Sequence, residues 1–162
     1  MTITEQKAAQ RKAGIAARRA LSDTQRTHSN AALCARIMAL DCFKKAENIL
    51  LYAAFGGEAD LSALAVEAAR QGKTLAYPVC GEGFSLTAAV PGPDGWEVGA
   101  YGIRTPILSR SEIIRPDQLD LVLVPCTAFD TACRRVGMGK GYYDRYLPRC
   151  TCLLYTSPSP RD

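Results

Sequence analysis

Apolar positions set the first pattern of the chain. Ala31, Leu33, Ala35, Ile37, Met38 and Leu40 recur at helical spacing and predict a helix with one apolar face. Ser22, followed three positions later by Gln25, forms a capping-box pair that starts this helix, and residues from about 4 to 20 read as a preceding helix rich in Ala, Lys and Arg. The period then changes. "NILLYAAF" (48–55) is a continuous apolar run of strand length, the mark of a strand covered on both faces. "DLSALAVEAARQG" (60–72) returns to helical spacing, with Asp60 as its cap and Gly72 as its stop. "TLAYPVC" (74–80) and "FSLTAAV" (84–90) predict two strands separated by Gly81 and Gly83, and 91–106 is a loop punctuated by Pro and Gly. "LDLVLVPC" (119–126) reads as the most deeply buried strand, and "YYDRYLPRC" (142–150) as a helix. Strand and helix alternate, which predicts an α/β fold with a mainly parallel sheet and right-handed crossovers.

Composition narrows the class. With 162 residues, 48% hydrophobic and 22% charged, the chain is of ordinary globular make-up and long enough to bury a core. Residues 1–152 read as a single, incomplete domain, and 153–162 as a strand start running into an anomalous Ser-Pro-rich tail, foreign or naturally disordered. Met1 to Ala20 is charged throughout and no apolar run reaches a membrane-spanning length, so a soluble cytoplasmic protein with no membrane partner is expected. A monomer is the expectation for its assembly, though no residue pattern argues for it. The seven cysteines show no CxxC pair and read as reduced thiols, with Cys34 and Cys126 packing as small hydrophobes. A lone histidine, His28, at a polar helix start leaves no histidine triad or zinc-hydrolase site. The net charge of +4 comes without a lysine-rich block, so no nucleic acid is expected and phosphate-bearing small molecules account for it.

The chemistry concentrates in "RRVGMGKGYYDRYL" (134–147). Gly137, Gly139 and Gly141 let backbone N–H groups approach an anion, and a following helix N-terminus adds its dipole. Lys140 supplies a mobile charge suited to phosphates, and Asp144 could hold Mg²⁺ together with phosphate oxygens and waters. The spacing fits neither the Walker loop nor the dinucleotide fingerprint. On composition alone two readings stay open: a phosphate site, or a plain strand-to-helix connection with Tyr142 and Tyr143 packed into the core. A second basic element favours the former. Lys7, Arg11 and Arg18 fall at i, i+4 and i+11, on one face of the first helix. Two phosphate-competent elements without histidine suit phosphoryl transfer by positioning and electrostatics.

At this stretch the sequence resembles the 5-formyltetrahydrofolate cyclo-ligase family, whose signature is R-x-G-x-G-x-G-Y-Y-D after a hydrophobic strand and a V-P-x-x-A-F-D-like segment. Here "LVLVPCTAFD" precedes "RVGMGKGYYDRYL". Lys7 and Arg11 match an N-terminal K-x-x-x-R, "YAAFGGEADLSAL" follows the first strand, and "GAYGIRTP" resembles F-G-I-x-E-P, so the likeness runs from about 7 to 150. It implies a Rossmann-like three-layer α/β/α fold that here lacks its last elements. It implies too a ligase of folate one-carbon metabolism that uses MgATP to cyclise 5-formyltetrahydrofolate to 5,10-methenyltetrahydrofolate, releasing ADP and phosphate. In that scheme the formyl oxygen is phosphorylated, N10 attacks the activated carbon, and phosphate leaves. By resemblance, Lys7, Arg11 and the loop of Arg135, Val136, Gly137, Met138, Gly139, Lys140, Gly141, Tyr142 and Tyr143 contact ATP, with Lys140 and Arg135 catalytic. Met138 to Tyr142 also border the folate, Glu58 hydrogen-bonds the pterin with Ala53 nearby, and Asp144 is a magnesium ligand. Thr105 stands where the family has glutamate, and "TSPSPRD" stands where the family continues with further elements and a second acidic magnesium position. An inactive truncated homologue and a non-catalytic nucleotide- or RNA-binding relative are the alternatives.

Overall fold

Two capping boxes start the first two helices. In α1 (Ile3–Ala20) the Thr2 hydroxyl accepts from Glu5 N while the Glu5 carboxylate accepts from Thr2 N, and Ser22 and Gln25 repeat the arrangement at α2 (Asp23–Ala39). The computed structural model describes residues 1–152, so the ending expected over 153–162 lies outside the described residues. A short helix, α3 (Asp41–Lys45), brings Phe43 under the sheet, and α4 (Ser62–Arg70) follows the first strand. At α4 the cap position is Leu61; Asp60, expected there, sits one residue earlier and accepts from Ser62 N at 2.9 Å. Gly72 ends this helix as expected, at φ +75°.

The central sheet has the order β6-β3-β2-β1-β7, built from β1 (Asn48–Leu50), β2 (Thr74–Cys80), β3 (Leu86–Pro91), β6 (Ser111–Ile114) and β7 (Leu121–Val122). β1 pairs in parallel with β2 and β7, whereas β3 is antiparallel to both β2 and β6. Four strands therefore run one way and β3 alone opposes them. The reversal has a local cause: only a 3-10 turn over Glu82–Phe84 separates β2 from β3, far too short for a crossover.

Alternation along β1 feeds two cores. Ile49 and Leu51 pack with Cys34, Phe43, Leu64, Ala68, Leu121 and Leu123 on the α2–α4 face. Leu50 packs with Ala76, Leu86, Ala88, Ile114, Val122 and Tyr146 on the other. Tyr146 belongs to α5 (Tyr142–Tyr146), so helices cover both faces and the α/β layering stands.

Several sequence expectations change. The stretch 91–106 contains a hairpin, β4 (Trp96–Val98) with β5 (Arg104–Pro106), and β6 was not foreseen. The apolar runs at 48–55 and 119–126 carry strand pairing only at their starts; past Val124 the chain meets Pro125, which has no N–H for a ladder. Residues 127–136, to which the sequence pattern assigns no element, form a small hairpin, β8 (Ala128–Phe129) with β9 (Arg135–Val136). The helix expected over 142–150 is α5 followed by a 3-10 turn at Leu147–Arg149, where Pro148 withholds its N–H. At five residues, α5 is too short to supply the dipole expected of it.

Candidate functional site

The site lies beyond the carboxyl ends of β1 and β7, where the chain leaves β1 toward β2 on one side while β7 joins on the other, the switch point at which open α/β sheets bind ligands. Helix α1 closes it. None of its residues is fully buried, and its half-buried positions, Arg11, Gly14, Ile15 and Arg18, form one stripe. The basic face predicted from spacing is therefore the docking face. Arg11 Nε donates to the carbonyl of Gly137 at 2.7 Å. Gly14 lies so close to the backbone carbonyl of Thr127 that a Cβ there would overlap it. Thr127 in turn donates from its N–H and its hydroxyl to the carbonyl of Val136, at 2.8 and 2.7 Å. Lys7, one turn before Arg11, is exposed on the same face.

The glycine loop is held by its carbonyls. Besides the bond from Arg11 to Gly137, Arg145 donates to the carbonyls of Lys140 and Gly141 at 3.0 and 3.1 Å. Gly139 has φ +96° and packs on the Arg11 guanidinium; Gly141 has φ +75° and opens α5. Lys140 is exposed, its Nζ 6.0 Å from the centre of the Phe84 ring, which meets Tyr142 edge-on at 5.7 Å. Met138 is exposed beside it. Tyr143, by contrast, buries its hydroxyl with no hydrogen-bond partner among the described residues, and burial drives that phenol far above its ordinary pKa. Arg135 is largely covered and holds the exposed Asp144 carboxylate at 2.7 Å.

Glu58 belongs to an adjoining cleft of about 410 Å³ lined by residues of α1, α2, the segment after β1, and the end of β7 with β8. The chain reaches it through Gly56 and Gly57, at φ +59° and +80°, and the Glu58 carboxylate accepts from Phe55 N at 3.1 Å. Burial raises the Glu58 carboxyl above its ordinary value, more than the Phe55 N–H and the Arg18 cation pull it down. Tyr52 donates to the carbonyl of Ala59 at 3.0 Å, and Ala53 is half-buried on the same segment. Cys126, expected as packing alone, lines the cleft together with Arg18. Neither Arg18 nor Tyr52 was singled out as a ligand residue; the signal for Arg18 was its place on the Lys7–Arg11 face.

The structure thus brings Arg11, Arg135 and the 136–144 loop together and sets Glu58 in a neighbouring cleft, with Thr127 and α1 joining the two. Asp144 offers a single exposed carboxylate at the loop, and no group of three or more metal-binding side chains converges among the described residues. The Asp144 carboxylate could hold an ion such as Mg²⁺ together with substrate phosphates and waters. No helix among the described residues is long and apolar enough to cross a membrane.

Comparisons with known proteins agree on one family. A sequence model described as the 5-formyltetrahydrofolate cyclo-ligase family matches residues 3–160. The chain is 32% identical over 107 residues to the 5-formyltetrahydrofolate cyclo-ligase of Haemophilus influenzae, a match covering 64% of this chain and 57% of that protein. It is 29% identical over 133 residues to the Escherichia coli protein of the same name, covering 80% and 73%. Among solved structures, 5,10-methenyltetrahydrofolate synthetase from Aquifex aeolicus superimposes with a TM-score of 0.80 at 33% identity, covering 96% of this chain and 83% of that one. A 5,10-methenyltetrahydrofolate synthetase from Mycoplasma pneumoniae shares the fold, with a TM-score of 0.72 at 23% identity over 90% of this chain and 79% of that one.

Proposed function

The chain belongs to the 5-formyltetrahydrofolate cyclo-ligase family, and we propose that it carries out the ATP-dependent cyclisation of 5-formyltetrahydrofolate to 5,10-methenyltetrahydrofolate, in the cytoplasm. One observation carries this reading: a single helix bears on both halves of the site, with Arg11 on the glycine loop and Gly14 on Thr127 beside the Glu58 cleft. A reaction that joins a phosphate donor to a flat folate needs its two sites held in fixed register.

In this reading the N–H groups of residues 136–141 and the Lys140 ammonium hold the phosphates, with Lys7, Arg11 and Arg135 adding positive charge. Lys140, exposed and mobile, follows the phosphoryl group as charge moves onto the transferred oxygens. Asp144 would hold Mg²⁺, which would supply charge neutralisation to the phosphates, and Arg135, the present ion-pair partner of Asp144, would add its own positive charge there. The Glu58 carboxylate accepts paired N–H bonds from the pterin edge, with Ala53 beside it. Met138 and Tyr142 border the folate, where the tyrosine ring offers a stacking face.

The test is the ultraviolet absorbance of 5,10-methenyltetrahydrofolate formed from 5-formyltetrahydrofolate and MgATP. Turnover is expected from the chain, and Lys140→Ala is expected to lower it roughly 10²- to 10³-fold without change in Tm. Absence of product, with both ligands failing to bind, overturns the reading. Unchanged turnover in Lys140→Ala removes the lysine from its role.

A further inference from the structure

Arg18 is the residue this site does not yet account for. It lines the Glu58 cleft, and its Nε is buried with no hydrogen-bond partner among the described residues. Arg26, its neighbour one helix on, is satisfied by contrast: its guanidinium donates to the carbonyls of Arg18 and Leu21 at 3.1 and 3.4 Å. Because α1 buries no residue fully, a guanidinium nitrogen sealed from water there is no by-product of core packing. A buried donor without an acceptor is a standing cost to the fold, and one that persists at a cleft calls for a ligand acceptor.

The other side-chain donors of the cleft are committed. Tyr52 donates to Ala59 and Thr127 to Val136, which leaves the weak Cys126 thiol and Arg18. Glu58 supplies the acceptor. The pterin edge presents two donors in a row, the 2-amino group and N3–H, and then an acceptor, the carbonyl at C4. A carboxylate can take the two donors, but it repels the carbonyl oxygen beside them. That third position requires an N–H.

We propose that Arg18 binds the substrate directly: its side chain turns so that Nε, sealed from water and without an acceptor in the free protein, donates to the C4 carbonyl of the pterin while Glu58 accepts from the two donors next to it. This rests on the function proposed above and adds to it a residue that, together with Glu58, tells a 4-oxo pterin from one bearing an amino group at position 4. With a 4-amino ligand, donor faces donor at Arg18 and N3 loses the hydrogen that Glu58 accepts, so both contacts suffer and the share owed to Arg18 is the part of the preference that R18M removes.

The experiment is calorimetric titration of the full chain, without ATP, using 5-formyltetrahydrofolate and its 4-amino-4-deoxy counterpart. The wild-type chain is expected to prefer the 4-oxo ligand. R18M, which keeps the bulk of the side chain and removes the donor, is expected to bind the 4-oxo ligand about 10- to 100-fold more weakly and the 4-amino ligand within about twofold of wild type. Should R18M fail to fold by circular dichroism, R18K carries the comparison: it keeps the charge and displaces the donor, so the 4-oxo preference shrinks. Equal loss for both ligands makes Arg18 a structural residue and overturns the proposal, as does 4-oxo binding that stays unchanged. If the wild-type chain binds neither ligand and makes no product, the proposed function falls as well; wild-type binding with an indifferent Arg18 removes this inference alone.

Discussion

The α2–α4 face of the sheet and the α1 seam are held by opposite means. On the former, Phe43, Ile49, Leu51, Leu64 and Leu121 are at most 1% exposed and interlock without polar bonds. On the latter no residue is fully buried; two arginine-to-carbonyl bonds, Arg11 to Gly137 and Arg26 to Arg18, and one glycine contact fix the helix. Apolar burial is strong and indifferent to direction, whereas hydrogen bonds to backbone carbonyls are weak and exact in placement. A site that must set a few atoms in register is better served by the second, on a scaffold secured by the first.

Phe43→Ala tests the scaffold side and has the largest expected effect. Removing this ring should cost about 3–5 kcal/mol in urea unfolding while the folded fraction keeps its kcat. A parallel collapse of kcat would show that the two regions are not separate. Gly14→Ala tests the seam. Its Cβ would collide with a backbone carbonyl, which cannot rotate away, so α1 must shift. About 1–3 kcal/mol of stability should be lost, and KM should rise for ATP and folate together, because both Arg11 and Arg18 move with the helix.

Two glycines of positive φ sharpen the contrast. At Gly72 a Cβ would meet nothing within 4 Å, so Gly72→Ala should cost only the strain of its φ, about 1–2 kcal/mol, with kinetics unchanged. At Gly139 the same strain is joined by a Cβ 3.3 Å from the Arg11 guanidinium, so Gly139→Ala should also raise KM for ATP. The smallest effect on stability belongs to Glu58→Gln. Burial raises the folded carboxyl, so the folded state holds the proton to a higher pH than the unfolded chain does. Ionised Glu58 therefore lowers stability at neutral pH. That penalty fades as pH falls through the raised folded value and is gone below the unfolded value near about 4.3. Tm of Glu58→Gln should exceed wild type by about 1–2 °C at pH 7 and match it near pH 4. Folate binding by the wild type should in turn weaken on acidification earlier than an exposed carboxylate would allow.

What the sequence made legible was local. Ser22 with Gln25 marked a helix start because both bonds close within four residues, and 74–80 matched β2 from end to end because the run and its pairing coincide. The runs at 48–55 and 119–126 overran their strands for an instructive reason. Tyr52, Leu123 and Val124 border the cleft, so apolar character there reflects a pocket wall rather than a ladder. The hairpin of β8 and β9 has two residues per strand and no periodicity to detect. The bond from Arg11 to Gly137 joins positions 126 residues apart, and no spacing rule reaches that far; the family likeness set those residues in one site. Arg18 escaped as a ligand because its meaning depends on an atom left without a partner, which appears only once Tyr52 and Thr127 have taken theirs.

The thin attachment of α1 has a consequence for motion. A helix secured by so little apolar contact belongs to the low end of the local stability range, and its amides should exchange with deuterium well before those of β1 and β2. Ligands that bridge α1 to the glycine loop and to the Glu58 cleft bind the docked helix and not the open one, so their binding free energy appears as protection of α1. Nucleotide and folate would each slow exchange along residues 3–20 and leave the sheet almost unchanged. Each would also lower the cost of ordering met by the other, making the helix a carrier of positive cooperativity between two ligands that need not touch.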